Sequence, residues 1–273
     1  GRIANLTVNK SRELQETSFF LAVGFWKPHL PYNAPKKYWD LYDRNNLPPV
    51  KYNEPVTGVP EIAYVNSDEA RSYTDVKNEG PISEDKKLEL RHGYFASISY
   101  MDAQVGKIVD ELRKLDLIKN TIIIFISDHG YHAGEHGQFG KWTNFEQGTK
   151  VQMIIVALDM NETGKASNSI VELIDLYPTL LELCHLPKPE NSDRLSGTSL
   201  VPILKDPYNK VKTDAISQIT RPLGGDAHFS VLGSSIRTEK YRYNVWMDTE
   251  KAEIVEEELY DLSSDPYKVK NLI

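Results

Sequence analysis

Residues 121–130 read Thr121-Ile122-Ile123-Ile124-Phe125-Ile126-Ser127-Asp128-His129-Gly130. A continuous β-branched apolar run is the pattern of a central strand, with no polar face to leave in water. A carboxylate and an imidazole stand immediately at its carboxyl end. In open α/β sheets, ligands gather beyond the carboxyl ends of the strands. Val151–Leu158 repeats the apolar pattern after a Gly-rich loop at residues 128–148, and Ser18–Phe25 precedes it as a third apolar run. Both read as buried strands, the latter as a parallel one.

Helical signals fall between these runs. Ser83 is a fitting N-cap, and Glu84 and Asp85 suit the positive end of a helix dipole. Tyr94, Ile98, Met101, Val105, Ile108, Leu112 and Leu115 then alternate in steps of four and three, a stripe on one helical face that should pack on a sheet. Asp175 caps a short helix through Leu186, and residues 36–42 suit another. Residues 45–66 are rich in Pro, Asn and Val without a sustained period, and read as a long surface excursion. The order of elements predicts an α/β fold, with a mostly parallel sheet flanked by helices. After about Asp206 the pattern changes to short strands at 215–220, 230–237, 241–247 and 257–262. Those predict a smaller antiparallel sheet. The expected domains are therefore 1–205 and 206–273.

The 273 residues carry 39 acidic and 32 basic side chains, a net charge of -7, which argues against a general nucleic-acid binder. No apolar run approaches the ~18 residues of a membrane span. Cys184, the single cysteine, excludes an internal disulfide framework and a multi-cysteine zinc site. It stands on an apolar helix and reads as a buried filler without a catalytic role.

Residues 127–137 carry three of the seven histidines. Asp128 and His129 could hold a divalent metal completed from elsewhere. Equally, Asp128 could cap the next segment while the histidines are solvated. His132 and His136 are four apart, as in helical zinc sites, but Gly130, Gly134 and Gly137 disfavour a helix. Lys141 on the following loop could neutralise an anionic group, or be an ordinary surface lysine. His29, bracketed by Pro28 and Pro31, could donate to an oxyanion, or simply pack. No GxSxG elbow or GxGxxG loop is present.

Taken as an ordered set, several motifs resemble type I, formylglycine-dependent sulfatases. They are Phe19-Phe20-Leu21-Ala22-Val23-Gly24 with Lys27-Pro28-His29-Leu30-Pro31, then Tyr94-Phe95-Ala96-Ser97-Ile98-Ser99-Tyr100-Met101-Asp102, then Ser127-Asp128-His129-Gly130 with Gly134-Glu135-His136-Gly137. Ser235-Ile236-Arg237-Thr238, Tyr241-Arg242-Tyr243, Glu258-Leu259-Tyr260-Asp261-Leu262, Asp265-Pro266 and Asn271-Leu272 continue it. The resemblance implies an alkaline-phosphatase-like fold and hydrolysis of sulfate esters of a sulfated polysaccharide at a calcium site. By motif, Asp128 and His129 match metal ligands, His29 a histidine on the sulfate group, and Lys141 a lysine bridging sulfate and the active centre.

The family's modified cysteine lies in a Cys-x-Pro-Ser-Arg setting that Cys184 lacks, and its paired upstream aspartates are absent as well. Both belong to the amino-terminal half of the family. The expectation is therefore the carboxyl-terminal portion of a longer exported enzyme, inactive alone, whose formylglycine comes from a formylglycine-generating enzyme. A phosphatase or phosphonate hydrolase of the same superfamily, and an inactive sulfate- or glycan-binding module, are the alternatives. Arg221, Arg237, Lys240 and Arg242 could meet substrate anions or be surface charge. Asn5-Leu6-Thr7 and Asn161-Glu162-Thr163 match the glycosylation triplet.

Overall fold

The computed structural model describes residues 1–158, 160, 163–190, 194–222, 230–264, 267 and 270–273. These form two compact units. One comprises residues 1–51 and 67–121, the other 52–66 and 122–273. The division does not follow the 205/206 boundary, since residues 122–205 group with 206–273.

The first unit contains α1 (Arg2–Glu13), α2 (Lys36–Trp39), α3 (Asp68–Arg71) and α4 (Glu84–Lys114). Ser83 caps α4 through its hydroxyl, which accepts from the Lys86 N–H at 3.4 Å. Glu84 and Asp85 occupy its first turn and Arg113 and Lys114 its last, each favourable to the dipole. Small residues let α1 approach α4 closely: Ala4, Thr7 and Ser11 are buried on α1, and Ala96 and Ser97 on α4. Arg12 Nε donates to Glu111 at 2.5 Å across that pair. The expected apolar stripe of α4 is only half-buried, apart from Leu112. Its fully buried positions include the polar Ser97, Gln104 and Glu111. Residues 18–25 form no strand: they are extended with alternating exposure, and Phe20 is 82% exposed. An apolar run signals a preference for burial, but a strand also needs a ladder partner, and none of the described residues supplies one.

The second unit contains β1 (Ile123–Ile126), β2 (His132–Ala133), β3 (Phe139–Gly140), α5 (Glu146–Thr149), β4 (Met153–Val156), α6 (Leu176–Leu183), α7 (Val201–Lys205), β5 (Asp214–Arg221), β6 (Val231–Thr238), β7 (Tyr241–Asp248) and β8 (Glu253–Asp261). Helices and strands mix as an α/β fold with a smaller antiparallel sheet. β1 pairs with β4, in antiparallel register from Ile123 opposite Val156 to Ile126 opposite Met153. The sequence predicts a mostly parallel sheet; among the described residues this pair is antiparallel. A parallel pair needs a crossover along the strand length, whereas residues 127–152 return through a β2–β3 hairpin and the four-residue α5. β5 to β8 form an antiparallel meander in chain order, as the turn pattern predicted.

Residues 52–66 are only in part a surface excursion. Val56 and Ala63 join Phe145, Trp246, Tyr260 and Leu262 in the core of this unit. The core is also polar at one point. Glu258, fully buried, accepts from Trp246 Nε1–H at 2.6 Å and from the Tyr260 hydroxyl. Burial, then the Glu258 charge, push the Tyr260 phenol far above its ordinary value, so it remains a donor. Asp175 does not cap α6 through its side chain. Its carboxylate, fully buried, instead accepts from the Glu172 and Thr198 N–H groups at 2.7 and 2.8 Å and from Lys212 at 2.7 Å. Cys184 is exposed at the C-cap of α6, past the helix's packed turns, which corrects its reading as a buried filler.

The meander is joined to α5 by charge. Arg242 Nη2 meets Glu146 Oε2 at 2.6 Å and Thr149 Oγ1 at 3.0 Å, while Nη1 meets Ser235 Oγ at 2.9 Å. Both charged groups are buried. Removing one partner strands the other without solvation, so Glu146→Ala is expected to cost about 3–5 kcal/mol in urea unfolding. The paired replacement Glu146→Leu with Arg242→Met is expected to cost much less, because the second partner of Glu146, Arg237, is partly exposed and no deeply buried charge is orphaned.

Candidate active site

Asp128 and His129 follow β1 directly. The Ser127 N–H donates to Gln152 O at 3.1 Å, extending the β1–β4 pairing one residue before the chain turns. Ser127 Oγ then donates to His129 O at 2.6 Å, and His129 N–H to Asp128 Oδ1 at 3.1 Å, which fixes a tight turn. His129 Nδ1 lies 2.8 Å from Gly130 O. A carbonyl only accepts, so Nδ1 carries the hydrogen and Nε2 of the neutral ring keeps its lone pair. Nε2 is 3.6 Å from Asp128 Oδ2, whose side chain is exposed. Metal-bound histidines are oriented in this way, with the second nitrogen donating to a carbonyl. The pair therefore fits two positions of a divalent cation site. Calcium takes about 6–8 oxygen ligands, and the described residues hold no cluster of three or more His, Cys, Asp or Glu able to complete one.

Lys141 is tied to this turn through α5. Gly130 N–H donates to Gly148 O at 2.9 Å. A Cβ on Gly130 would meet Gln147 O at 2.0 Å, and one on Gly148 would meet the Thr143 and Lys141 carbonyls at 2.7 and 2.8 Å. Only glycine permits both approaches. The Asp128–Gly130 turn and the Lys141–Thr143 segment thus pack against the same residue of one short helix. The Lys141 carbonyl also accepts from the Thr143 N–H at 2.8 Å.

His132 and His136 are not solvated. His132 is fully buried, with Nε2 2.8 Å from Thr143 Oγ1 and Nδ1 3.2 Å from Glu135 O. Burial, then the neighbouring His136, push it down to about 3. His136, its ring tilted against Phe145 with centroids 5.0 Å apart, is lowered chiefly by burial. Both serve as neutral packing groups behind the loop.

His29 belongs to the first unit, between two cis peptide bonds, Lys27–Pro28 and Leu30–Pro31. Its Nδ1 lies 2.7 Å from Leu30 O and its Nε2 2.7 Å from Glu69 Oε1. Glu69 went unnoticed in the sequence, because it is forty residues away on α3 with no pattern linking the two.

Three of the basic residues offered to substrate are engaged within the second unit. Arg221 donates to backbone carbonyls, and Arg237 and Arg242 meet Glu146. Lys240 lies over the Tyr241 ring at 4.8 Å. Asn5 is exposed on α1, while Thr7 is buried with its hydroxyl donating to Ile3 O. Asn161 and Glu162 lie outside the described residues, as do Asp265 and Pro266.

A sulfatase family model matches residues 2–186. The chain belongs to the sulfatase family. A model described as N-sulphoglucosamine sulphohydrolase, C-terminal, matches residues 134–273. The chain is 32% identical to human iduronate 2-sulfatase over 317 residues, covering 93% of this chain and 58% of that protein. It therefore spans about half the length of the curated sulfatases it matches. Among solved structures it resembles a protein in complex with its substrate D-glucosamine-2-N,6-O-disulfate (TM-score 0.75, 20% identity, 99% of this chain and 65% of that one). It also resembles a phosphonate monoester hydrolase from Silicibacter pomeroyi (TM-score 0.77, 18% identity, 98% and 54%). Likeness at such identity establishes the fold alone, an α/β fold of the alkaline-phosphatase-like kind.

The buried histidine behind the loop has a measurable signature. Folded His132 stays neutral down to about pH 3, whereas the unfolded chain takes up that proton near pH 6.5. Between these values the unfolded state binds more protons, so stability falls as pH falls. Urea midpoints at pH 7 and pH 5 are expected to show a loss approaching about 1.4 kcal/mol per pH unit from this group. His132→Gln is expected to flatten that slope.

Proposed function

We propose that the full-length protein hydrolyses sulfate esters of a sulfated polysaccharide or oligosaccharide, in the manner of an iduronate-2-sulfatase. The observation that carries this reading is the bracing of Lys141 and the ligand-ready Asp128–His129 pair against one helix residue, Gly148. A sulfate monoester spreads negative charge over its non-bridging oxygens and gains more on the leaving oxygen as the bond breaks. Fixed cations at that position act without reorganising during the reaction. Lys141 would place an ammonium against the sulfate oxygens. His29 would, by the family resemblance, be a histidine that contacts sulfate. Asp128 and His129 would hold calcium together with ligands from elsewhere in the longer protein. Bound calcium would supply further fixed charge, and a formylglycine outside this chain, made by a formylglycine-generating enzyme, would supply the nucleophile.

Residues 206–273 would serve as a small subdomain bracing this loop. No helix among the described residues is long and apolar enough to cross a membrane, and we place the protein in an exported compartment, as the family suggests.

The test is sulfate release by the full-length protein from a 2-O-sulfated uronic-acid disaccharide, followed by ion chromatography. Lys141→Ala is expected to lower kcat/KM by about 100-fold, the cost of removing one transition-state charge contact. Release of phosphate from phosphoesters without sulfate release would favour the phosphatase. Tight glycan binding without turnover would favour the binding module.

A further inference from the structure

We infer that Arg221 is a positioning residue for Lys141, acting through the Trp142 backbone. The inference rests on the sulfatase reading only in taking Lys141 as the ammonium that meets the substrate. Arg221 ends β5 and is half-buried. Its Nε–H donates to Ile62 O at 3.0 Å and Nη1 to Thr220 O at 3.1 Å. Nη2 donates to Trp142 O at 2.9 Å and to Tyr64 O at 3.5 Å. The guanidinium carbon stands 5.0 Å above the ring of the fully buried Trp246.

Four of the five N–H donors of a guanidinium are thereby directed to neutral carbonyls. Those carbonyls come from three stretches of chain: residues 62–64, the end of β5, and the loop carrying Lys141. A cation spent in this way is a clamp on backbone and a poor candidate for direct contact with substrate. The planar fork matters, because an ammonium at the same place could not reach all four acceptors.

The consequence falls on Lys141 through geometry. Lysine has a long flexible stem, so the placement of its ammonium depends on how well its backbone is held. Before Lys141, Gly140 pairs with His132 across the β2–β3 hairpin. Its own carbonyl abuts Gly148 and accepts from Thr143. After it, the Trp142 carbonyl is held by Arg221, while the Trp142 side chain is exposed and fixes little. Arg221 is the side-chain contact at this carbonyl, and it links the loop to the buried face of the meander. A displacement of about 1 Å in a catalytic group can cost about 100-fold in rate.

A double-mutant cycle in the full-length protein tests this. The variants are Arg221→Gln, Lys141→Ala and the pair together, assayed for kcat and KM in sulfate release, with melting temperature recorded for each. Arg221→Gln is expected to lower kcat by about 10-fold or more with a smaller change in KM. In the Lys141→Ala background the same substitution is expected to change kcat by less than about twofold, because a residue acting through Lys141 has nothing left to position. Arg221→Lys, which keeps the charge and stem beside Trp246, should show the same pattern if Arg221→Gln fails to fold. Undiminished kcat in a folded Arg221 variant, or a full additional loss in the Lys141→Ala background, overturns the inference and leaves the role of Lys141 standing. Wild-type activity in Lys141→Ala overturns the sulfatase role of Lys141, and the inference with it.

Discussion

Arg242 and Glu146 bury opposite charges 2.6 Å apart, and much of the second unit is arranged to keep them together. Desolvation lowers the Arg242 pKa, and the Glu146 charge opposes that shift. Neither group could stay in a dry interior alone. The pair therefore acts as a constraint as much as a source of stability: α5 cannot drift from β7 without exposing an uncompensated charge. Because α5 carries Gly148, the constraint passes directly to the two segments packed on that glycine. One is the turn of Asp128 and His129, the other the backbone of Lys141. The meander thus braces segments located some one hundred residues earlier in the chain.

Polarity around the loop is graded in a way that suits an anion. Asp128 is exposed and His129 partly so, open to a ligand. Behind them His132 and His136 are dry and held neutral by burial, and they fill space against Phe145 and Thr143 without adding charge. In this unit the positive group positioned on the loop is consequently Lys141. A neutral packing layer behind a charged front lets the backbone be rigid without adding fixed counter-charges behind the loop.

Several elements were legible in the sequence because their signals are local. The cap at Ser83, the acidic first turn and the long periodic stretch define α4 within one or two residues of its observed start and end. The four strands of the meander follow from alternation between turn residues. The Asp128–His129 pair was legible from its place after an apolar strand. What escaped depends on partners distant in the chain. An apolar run such as Phe19–Phe25 records a preference for burial but not the strand it would pair with. The direction of β1 against β4 depends on how the intervening loop returns. Residues 52–66 lack a period, so the burial of Val56 and Ala63 leaves no local trace. Glu69 beside His29 is invisible for the same reason.

The arginines of the meander carry the clearest physical lesson. Read as charges on a small carboxyl-terminal sheet, Arg221, Arg237 and Arg242 suggested a surface for an anionic polymer. Guanidinium groups are also the side chains best suited to gathering several acceptors at once. Here they turn inward, to Glu146 and to carbonyls at Ile62, Tyr64 and Trp142. This chain as a whole carries a net charge of -7, which does not favour a sulfated polymer at long range. On the proposed function, recognition of a sulfate group would then be short-range, from a few cations held in place. Holding them is the work to which the meander commits its own charges.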